Sequence, residues 1–264
     1  MIESLNSPHV VRVKALISSR GVKERKITGQ FVAEGMQCAR EALTSANGPQ
    51  IETLYLTTNG RSKIEAISDV SGINTFDVSD EVMKEMSETI TPQGILAVCT
   101  IPQVDFNSIA LNGSRRFVYL SEVQDPGNAG TILRSADAFA MDAVITSPGS
   151  VDMYSPKVVR STAGSLWHIP VFESVSIAEV LAMGVKAFSL GAGGSKNLSE
   201  YQMSGDTLAV FGNEARGLHN LKGLSASKDR ITPVRIPMPG NAESLNLSVA
   251  ASIVMYQLAN IPTS

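Results

Sequence analysis

The sequence predicts an α/β fold, with a large domain built on a mostly parallel sheet and a smaller N-terminal α/β domain. Three observations favour this fold class. Apolar runs of strand length alternate with helical segments along the chain. Two of these runs, VKAFSLG and TLAVFG, are largely apolar and bounded by glycine, as is typical of strands buried on both faces. Periodicity is weakest at 102–115, where turn residues cluster, and we place a linker there.

The N-terminal domain is predicted over residues 1–101. A helix at about 9–19 leads into a basic loop, and the apolar run QFVAEG and the helical segment MQCAREALTSA follow. The strands IETLYLT, INTFDV and GILAVCT come next, with helices near 62–68 and 79–86 between them. This α/β pattern is small enough to fold by itself.

The second domain is predicted over residues 116–264, where the alternation begins again. Its expected strands are RFVYLSEV, DAVIT, IPVF, VKAFSLG, TLAVFG and TPVRIPM. Its expected helices lie near 129–140, 155–163, 176–183 and 244–259. Strands that alternate with helices predict a parallel sheet covered on both sides.

Composition excludes several classes of protein. A chain of 264 residues with 43% hydrophobic content can bury a core, and its net charge of −3 gives no global attraction to nucleic acid. Cys38 and Cys99 lie far apart and the three histidines are dispersed, which argues against a disulfide scaffold or a metal site. The sequence contains neither a signal-peptide pattern nor an apolar run of membrane-spanning length, so we expect a cytoplasmic protein without membrane contact.

Four of the predicted strands end in loops rich in glycine or polar residues. These loops are DPGNAG, LGAGGS, FGNEARGL and IPMPGNAESLN. Ligands of parallel α/β sheets bind beyond the carboxyl ends of the strands, where glycine lets a ligand approach the backbone closely. The alternative is that each glycine only turns the chain between strand and helix.

Polar residues beside these loops are the candidates for chemistry. Asn128 can cap the helix that follows it, which alone would explain it. Arg134 stands in that otherwise apolar helix, where a guanidinium near the helix start needs an anionic partner. An ordinary surface salt bridge is the alternative. Glu214 would follow a buried strand, and its pairing with Arg216, its capping of the next helix and its contact with Arg134 remain open.

The last helix begins with a second polar pair. Ser244 is a suitable N-cap, which is the structural explanation of its presence. Asn246 is a poor residue for a helix interior, so its amide can address a ligand over the helix start.

Three blocks, NAGTILR (128–134), FGNEARGL (211–218) and IPMPGNAESLNLSVAASI (236–253), resemble in order and spacing the three motifs of the SpoU/TrmH family. This family comprises RNA ribose 2′-O-methyltransferases of the SPOUT class. The segment FVAEGMQCAREAL is similar to the substrate-binding extension that many members carry. The resemblance covers about 117–260 of the chain with its three motifs.

The resemblance implies a C-terminal domain with a deep trefoil knot, an exception to the rule against threaded chains. It also implies a homodimer whose RNA site is completed across the interface, and S-adenosylmethionine as cofactor without a metal. The catalytic positions carried over by motif are Arg134, Asn128, Glu214, Ser244 and Asn246. The cofactor-binding positions are Leu190, Gly191, Ala192, Gly212, Asn213, Gly217, Ile236, Met238, Ser244, Leu245 and Asn246.

The chemistry of this reaction gives Arg134 a role. A ribose hydroxyl is a weak nucleophile, and arginine holds its own proton too tightly to act as an easy base. Our hypothesis is that Arg134 binds the phosphate or the ribose oxygen and lowers the pKa of the hydroxyl, with an RNA phosphate as the base.

Basic residues in one N-terminal stretch offer a local RNA-binding patch on an acidic chain. The predicted RNA-binding residues of this stretch are Arg12, Lys14, Arg20, Lys23, Arg25 and Lys26. The resemblance adds Arg160 of the second domain, which matches a basic position common in the family. A solvated helix-loop face explains the cluster equally well, and Arg160 can serve the dimer interface instead. The long N-terminal domain favours ribosomal RNA over transfer RNA as substrate.

The sequence pattern admits two rival functions. A nicotinamide-dependent oxidoreductase is disfavoured because neither DPGNAG nor LGAGGS completes the G-x-G-x-x-G pattern. A catalytically silent RNA-binding or ribosome-assembly factor on the same fold is the remaining alternative, against which the presence of Arg134 and Asn246 argues.

Overall fold

The structure is a computed structural model, which describes residues 1–191, 194, 196–201, 204–212 and 230–260. It divides into two compact units. The first comprises Met1–Gln103 together with Asp152–His168, and the second comprises Val104–Val151 and Ile169–Ser264. No helix of the described residues is long and apolar enough to cross a membrane.

The first unit is built on a four-stranded sheet. Its strands are β1 (Gln30–Glu34), β2 (Ile51–Leu56), β3 (Thr75–Asp77) and β4 (Ile95–Thr100), in the order β1-β4-β2-β3. β4 lies between β1 and β2 and is antiparallel to both, whereas β2 and β3 are parallel. The helices are α1 (Pro8–Ile17), α2 (Gly21–Thr28), α3 (Met36–Thr44), α4 (Thr58–Glu65) and α5 (Asp80–Met86).

Serine and threonine caps set where three of these helices begin. The side chains of Ser7, Thr57 and Ser79 each accept a hydrogen bond from a backbone N–H of the first turn. α1 and α5 then pack on the sheet through residues such as Val13 and Met83, both fully buried. The unit therefore has its own apolar core, as the sequence predicted for an N-terminal α/β domain.

The segment predicted to be a basic loop after the first helix is instead a helix. α2 follows α1 after a short turn and ends at Gly29, whose left-handed conformation (φ 65°) closes the helix. The prediction failed because α2 has no continuous apolar stripe. Its inward residue is Arg25, which is 3% exposed.

The segment Asp152–His168 packs with the first unit, although the sequence prediction placed it in the domain 116–264. It contains α7 (Pro156–Ser161) and a 3-10 turn (Ser165–Trp167). Trp167 Nε1 donates to the carbonyl of Pro49 over 2.9 Å, and Ser45 Oγ donates to the carbonyl of Trp167 over 2.8 Å. These non-local contacts are invisible to an analysis of sequence periodicity.

The second unit is built on a seven-stranded sheet, counted over the described residues. Its strands are β5 (Arg116–Ser121), β6 (Ala143–Thr146), β7 (Val171–Phe172), β8 (Lys186–Leu190), β9 (Lys196–Asn197), β10 (Thr207–Gly212) and β11 (Ile231–Arg235). Their order is β7-β6-β5-β10-β8-β11-β9, and every pairing is parallel, as predicted.

The described residues of this unit contain the helices α6 (Pro126–Ala138), α8 (Ile177–Ala182) and α9 (Leu247–Ala259). The predicted linker 102–115 joins this unit from Val104 onward. Phe106, Ile109 and Leu111 pack against its apolar core, so the segment is not a free linker. The predicted trefoil knot would involve loops that lie partly outside the described residues, and it remains a prediction from the family.

Candidate active site

Four neighbouring strands of the second unit end at one edge of the sheet. Gly212, the last residue of β10, is in register with Ser121, the last residue of β5. On the other side of β10, β8 ends at Leu190, which is in register with Val234 of β11. The loops that the sequence singled out therefore leave the sheet side by side, at the edge where parallel sheets bind ligands.

The loop after β5 leads into α6, whose cap differs from the prediction. Asp125 is the N-cap, and its Oδ1 accepts a hydrogen bond from the backbone N–H of Asn128 over 2.7 Å. Pro126 occupies the first helical position, which its fixed φ suits. Asn128 is thus not the cap but a residue of the first turn of α6.

Asn246, rather than Ser244, is the N-cap of α9. Its Oδ1 accepts from the backbone N–H of Ser248 over 2.9 Å, from that of Val249 over 3.4 Å, and from Ser248 Oγ over 2.6 Å. Ser244 is exposed and precedes the helix. The prediction placed the N-cap two residues too early, because both residue types are good caps.

The starts of α6 and α9 are joined through these two asparagines. Asn246 Nδ2 donates to Asn128 Oδ1 over 3.0 Å. A second pair of residues, further along the two helices, supports this contact. The hydroxyl oxygens of Ser135 on α6 and Ser252 on α9 lie 2.8 Å apart. The structure therefore brings together two of the predicted catalytic residues, which lie 118 positions apart in the sequence.

Arg134 lies on α6 but not near its start. The helix begins at Pro126, so Arg134 falls in the third turn, where the argument from the positive end of the helix dipole does not apply. Six residues separate it from Asn128, which turns the two side chains about 120° apart around the helix axis. Arg134 is exposed and forms no ion pair with a described residue.

The described cofactor-binding candidates lie at the same edge of the sheet. Gly191 follows β8 and its N–H donates to the carbonyl of Val234 over 3.0 Å. Gly212 ends β10, and Ile236 and Met238 follow β11. Leu245 is half-buried beside the exposed Ser244. Ala192, Asn213, Glu214 and Gly217 lie outside the described residues.

The close approach of Gly194 to β11 was not foreseen. A Cβ built on Gly194 would lie 2.7 Å from the carbonyl oxygen of Val234 and 2.7 Å from the backbone nitrogen of Arg235. Only glycine fits at this distance. The signal was present in LGAGGS, but the sequence does not reveal which of its glycines meets another strand.

Glu122 is a second residue that sequence analysis missed. It follows β5 directly and has a φ of 50°, in the left-handed region that is uncommon for residues other than glycine. Its N–H donates to Ser147 Oγ over 2.8 Å, which ties the end of β5 to the loop after β6. The carboxyl end of β5 is therefore held in a strained conformation, as is frequent at functional sites.

The seven predicted RNA-binding residues all lie in the first unit, where four of them form ion pairs and three form none with a described residue. Arg12 pairs with Glu52 over 2.6 Å, and Lys14 pairs with Glu85. Arg20, Lys23 and Lys26 are exposed and form no ion pair with a described residue.

Arg25 and Arg160 are internal ion-pair residues. The guanidinium of Arg25 is buried, lies 2.7 Å from Asp152 Oδ2 and donates to the carbonyl of Leu16, so its assignment to RNA is wrong. Arg160 lies 3.1 Å from a carboxylate oxygen of Glu88 and 3.6 Å from one of Glu34. The Arg160 side chain is 28% exposed, and its role in RNA binding stays a prediction.

No cluster of histidine, cysteine and acidic residues suited to a metal ion occurs among the described residues. Both cysteines are buried. Burial is the largest influence on Cys38 and raises the pKa of its thiol to about 11, so this thiol stays protonated near neutral pH.

Comparisons with known proteins agree with this architecture. The profile of the SpoU rRNA Methylase family matches residues 115–256, and that of the MRM3-like substrate binding domain matches residues 9–97. A 23S rRNA (guanosine(2553)-2′-O)-methyltransferase of Bacillus subtilis is 35% identical, over 89% of this chain and 91% of that protein. A 23S rRNA (uridine(2479)-2′-O)-methyltransferase of Streptomyces viridochromogenes is 28% identical, over 92% of this chain and 86% of that protein.

Solved structures give the same result. The AdoMet-bound rRNA methyltransferase from Sinorhizobium meliloti superposes with a TM-score of 0.82 at 26% identity, over 97% of this chain and 96% of that one. The SpoU methyltransferase of Streptomyces viridochromogenes in complex with AdoMet has a TM-score of 0.81 at 25% identity, over 96% of this chain and 98% of that one. The chain belongs to the SpoU rRNA methylase family.

Proposed function

We propose that this chain methylates a ribose 2′-hydroxyl of large-subunit ribosomal RNA, with S-adenosylmethionine as the methyl donor. As a member of its family, it is an RNA ribose 2′-O-methyltransferase. The observation that carries the proposal is the junction of Asn128 and Asn246 at the carboxyl edge of the parallel sheet. This junction joins two of the three motif blocks from which the activity was inferred.

The residues at this edge of the sheet fit an adenosine group that is bound through contacts with the protein backbone. Gly191 and Gly212 leave the neighbouring backbone accessible, and the half-buried side chains of Leu190, Ile236 and Leu245 offer apolar surface to a nucleobase. S-adenosylmethionine, when bound, supplies a methyl group bonded to a sulfonium sulfur. The leaving group is the neutral thioether that this sulfur becomes. The chain therefore has to bind and orient the ribose and to assist the removal of the proton from its 2′-hydroxyl.

Arg134 is the residue that we assign to the acceptor hydroxyl. It is exposed and without an ion-pair partner among the described residues, unlike Arg12, Arg25 and Arg160. A guanidinium close to the ribose oxygen or its phosphate favours the alkoxide and so lowers the pKa of the hydroxyl. Arg134 does not take the proton itself, because its own pKa is too high.

We also propose that two copies of the chain form a dimer through α6 and α9. Val249, Ile253 and Tyr256 form an exposed apolar stripe on α9, and Tyr256 is 59% exposed. Their spacing puts them on one side of the helix. Arg134 lies next to Ser135, which contacts α9. In such a dimer, Arg134 of one copy would lie near the site of the other copy. Each site would then combine residues of two chains.

We propose ribosomal RNA rather than transfer RNA as the substrate for two reasons. The first unit contains the match to the MRM3-like substrate binding domain. The relatives from Bacillus subtilis and Streptomyces viridochromogenes are named for 23S rRNA, and both cover most of this chain. We place the protein in the cytoplasm, with its substrate.

A mixing experiment tests the shared site. Arg134→Ala and Asn246→Ala are each expected to be inactive, and the mixed sample is expected to regain methylation, because a mixed dimer holds one intact site. A mixture that stays inactive after subunit exchange contradicts a site shared between chains.

Titration calorimetry of the unaltered protein with S-adenosylmethionine accompanies this experiment. Absence of binding there, with RNA binding retained, would support the catalytically silent RNA-binding factor instead.

A further inference from the structure

A row of three cations on α2 is separate from the other basic residues of the first unit. Arg20, Lys23 and Lys26 are exposed, and none forms an ion pair with a described residue. The remaining cations of the predicted patch are neutralised within the unit, by Glu52, Glu85, Asp152, Glu88 and Glu34. The structure thus concentrates the available positive charge of this patch on one short helix.

The spacing of these residues makes them one surface. Steps of three residues place successive side chains about 60° apart around the helix and about 4.5 Å apart along it. Ile27 is 69% exposed and falls within the same sector of the helix. The only acidic residue of α2, Glu24, lies at the border of this sector and is half-buried.

The opposite side of α2 is fixed in place. Arg25 points into the unit, where its Nε donates to Asp152 Oδ2 over 2.8 Å and its Nη1 donates to the carbonyl of Leu16. Gly21 gives this guanidinium room, since a Cβ there would lie 2.5 Å from Nη1. The cationic row is therefore presented by a helix whose orientation is set by a buried ion pair.

Lys26 lies in the last turn of α2, where a cation suits the helix dipole, but the placement of Arg20 and Lys23 does not serve the stability of this helix. Arg20 occupies the N-cap position without a side-chain capping bond, and arginine is not a favoured residue there. Positive charge in the first turn opposes the helix dipole. These costs are understandable if the row has an external anionic partner.

We propose that the α2 row, defined as Arg20, Lys23 and Lys26 with Ile27, binds the phosphate backbone of the RNA substrate. RNA fits because its regularly spaced phosphates complement a row of fixed cations, and because recognition of folded RNA relies largely on backbone contacts. The inference rests on the proposed function and narrows the RNA contact from seven residues to three. The chain carries a net charge of −3, so the attraction is local to this helix.

The test compares two double variants of equal charge. Lys23→Gln/Lys26→Gln alters the row, and Lys63→Gln/Lys84→Gln removes two exposed lysines from α4 and α5. Affinity for unmodified 23S rRNA transcript is measured over a range of salt concentrations. We expect the first variant to lower the slope of log K against log salt by about 2, because each lost phosphate contact contributes about 1, and the control to leave it unchanged.

Kinetics on the full-length enzyme separates binding from chemistry. The row variant is expected to raise KM for the RNA while kcat at saturating RNA and the affinity for S-adenosylmethionine stay as in the unaltered protein. Equal salt slopes and KM values for the row and control variants would overturn the inference, even if the protein methylates RNA. If the unaltered protein binds RNA through the row without methylating it, the inference holds and the proposed function fails.

Discussion

Asn246 Nδ2 donates to Asn128 Oδ1 over 3.0 Å, while Asn246 Oδ1 caps α9 by accepting from the backbone N–H of Ser248 over 2.9 Å. A single amide thus performs two tasks at the carboxyl edge of the sheet. It ends the loop after β11 and holds the start of α9 against the first turn of α6. This makes Asn246 a positioning residue within the proposed site, whatever further contact it makes with substrate.

Substitutions of Asn246 separate the two tasks. Asn246→Ala removes the cap and the bridge, and we expect a loss of about 1 kcal/mol in the free energy of unfolding together with loss of activity. Asn246→Ser keeps a capping oxygen but is too short to reach Asn128, so stability is expected to stay near that of the unaltered protein while activity falls as in the alanine variant. Urea unfolding and methylation rates check this. A fully active serine variant would show that the bridge has no function.

Arg134→Ala is expected to lower the rate of methyl transfer at saturating substrates by roughly 10²–10³-fold, as for loss of one electrostatic donor to a developing oxyanion. The affinity for S-adenosylmethionine should be unchanged, because the described cofactor candidates lie on other loops. Arg134→Lys retains the charge without the planar fork and should recover part of the rate. Single-turnover kinetics and calorimetry measure both quantities. A parallel loss of cofactor affinity and rate would assign Arg134 a structural role.

Gly194→Ala tests the close approach of the LGAGGS loop to β11. The added methyl group would meet the backbone of Val234 and Arg235, 2.7 Å from the nitrogen of the latter, and the backbone of β11 cannot yield easily. We expect a loss of about 1–3 kcal/mol in stability and weaker binding of S-adenosylmethionine. Gly72→Ala is the control, because nothing lies within 4 Å of a Cβ there. Unchanged cofactor affinity in a folded Gly194→Ala protein would contradict the placement of the cofactor at this edge.

The ion pair of Arg25 and Asp152 is expected to stabilise the first unit. The two side chains are 3% and 12% exposed, so Arg25→Met leaves a carboxylate largely buried and unpaired, at a cost of about 3–5 kcal/mol. Arg25→Met/Asp152→Leu removes both charges and should recover much of this loss. Arg12→Met breaks a more exposed pair and should cost less than about 1 kcal/mol. Comparable losses for Arg25→Met and Arg12→Met in urea unfolding would contradict this assignment.

The sequence predicted the parts of this molecule that depend on local pattern. The apolar runs that became β5, β8, β10 and β11 identified a buried parallel sheet, and the polar residues after them identified its functional edge. Helix starts were less accurate. Ser244 and Asn246 are both good caps, and only the backbone geometry shows that Asn246 is the one used.

Features that depend on distant residues were not predictable in this way. Arg25 belonged to a basic stretch in the sequence, but its partner Asp152 lies 127 positions further along the chain. The same is true of Trp167, which places the segment Asp152–His168 with the first unit by contacting Pro49. A pattern of residue types cannot distinguish a cation that binds RNA from one that is neutralised inside the fold.

The most direct test of the proposed function is identification of the methylated nucleoside. Purified protein is incubated with isotope-labelled S-adenosylmethionine and unmodified 23S rRNA transcript, and the RNA is digested to nucleosides for mass spectrometry. We expect the label in one 2′-O-methylated nucleoside, and none when Arg134→Ala replaces the unaltered protein. Label on a base, or RNA that is bound but never labelled, would contradict the assignment as a ribose 2′-O-methyltransferase.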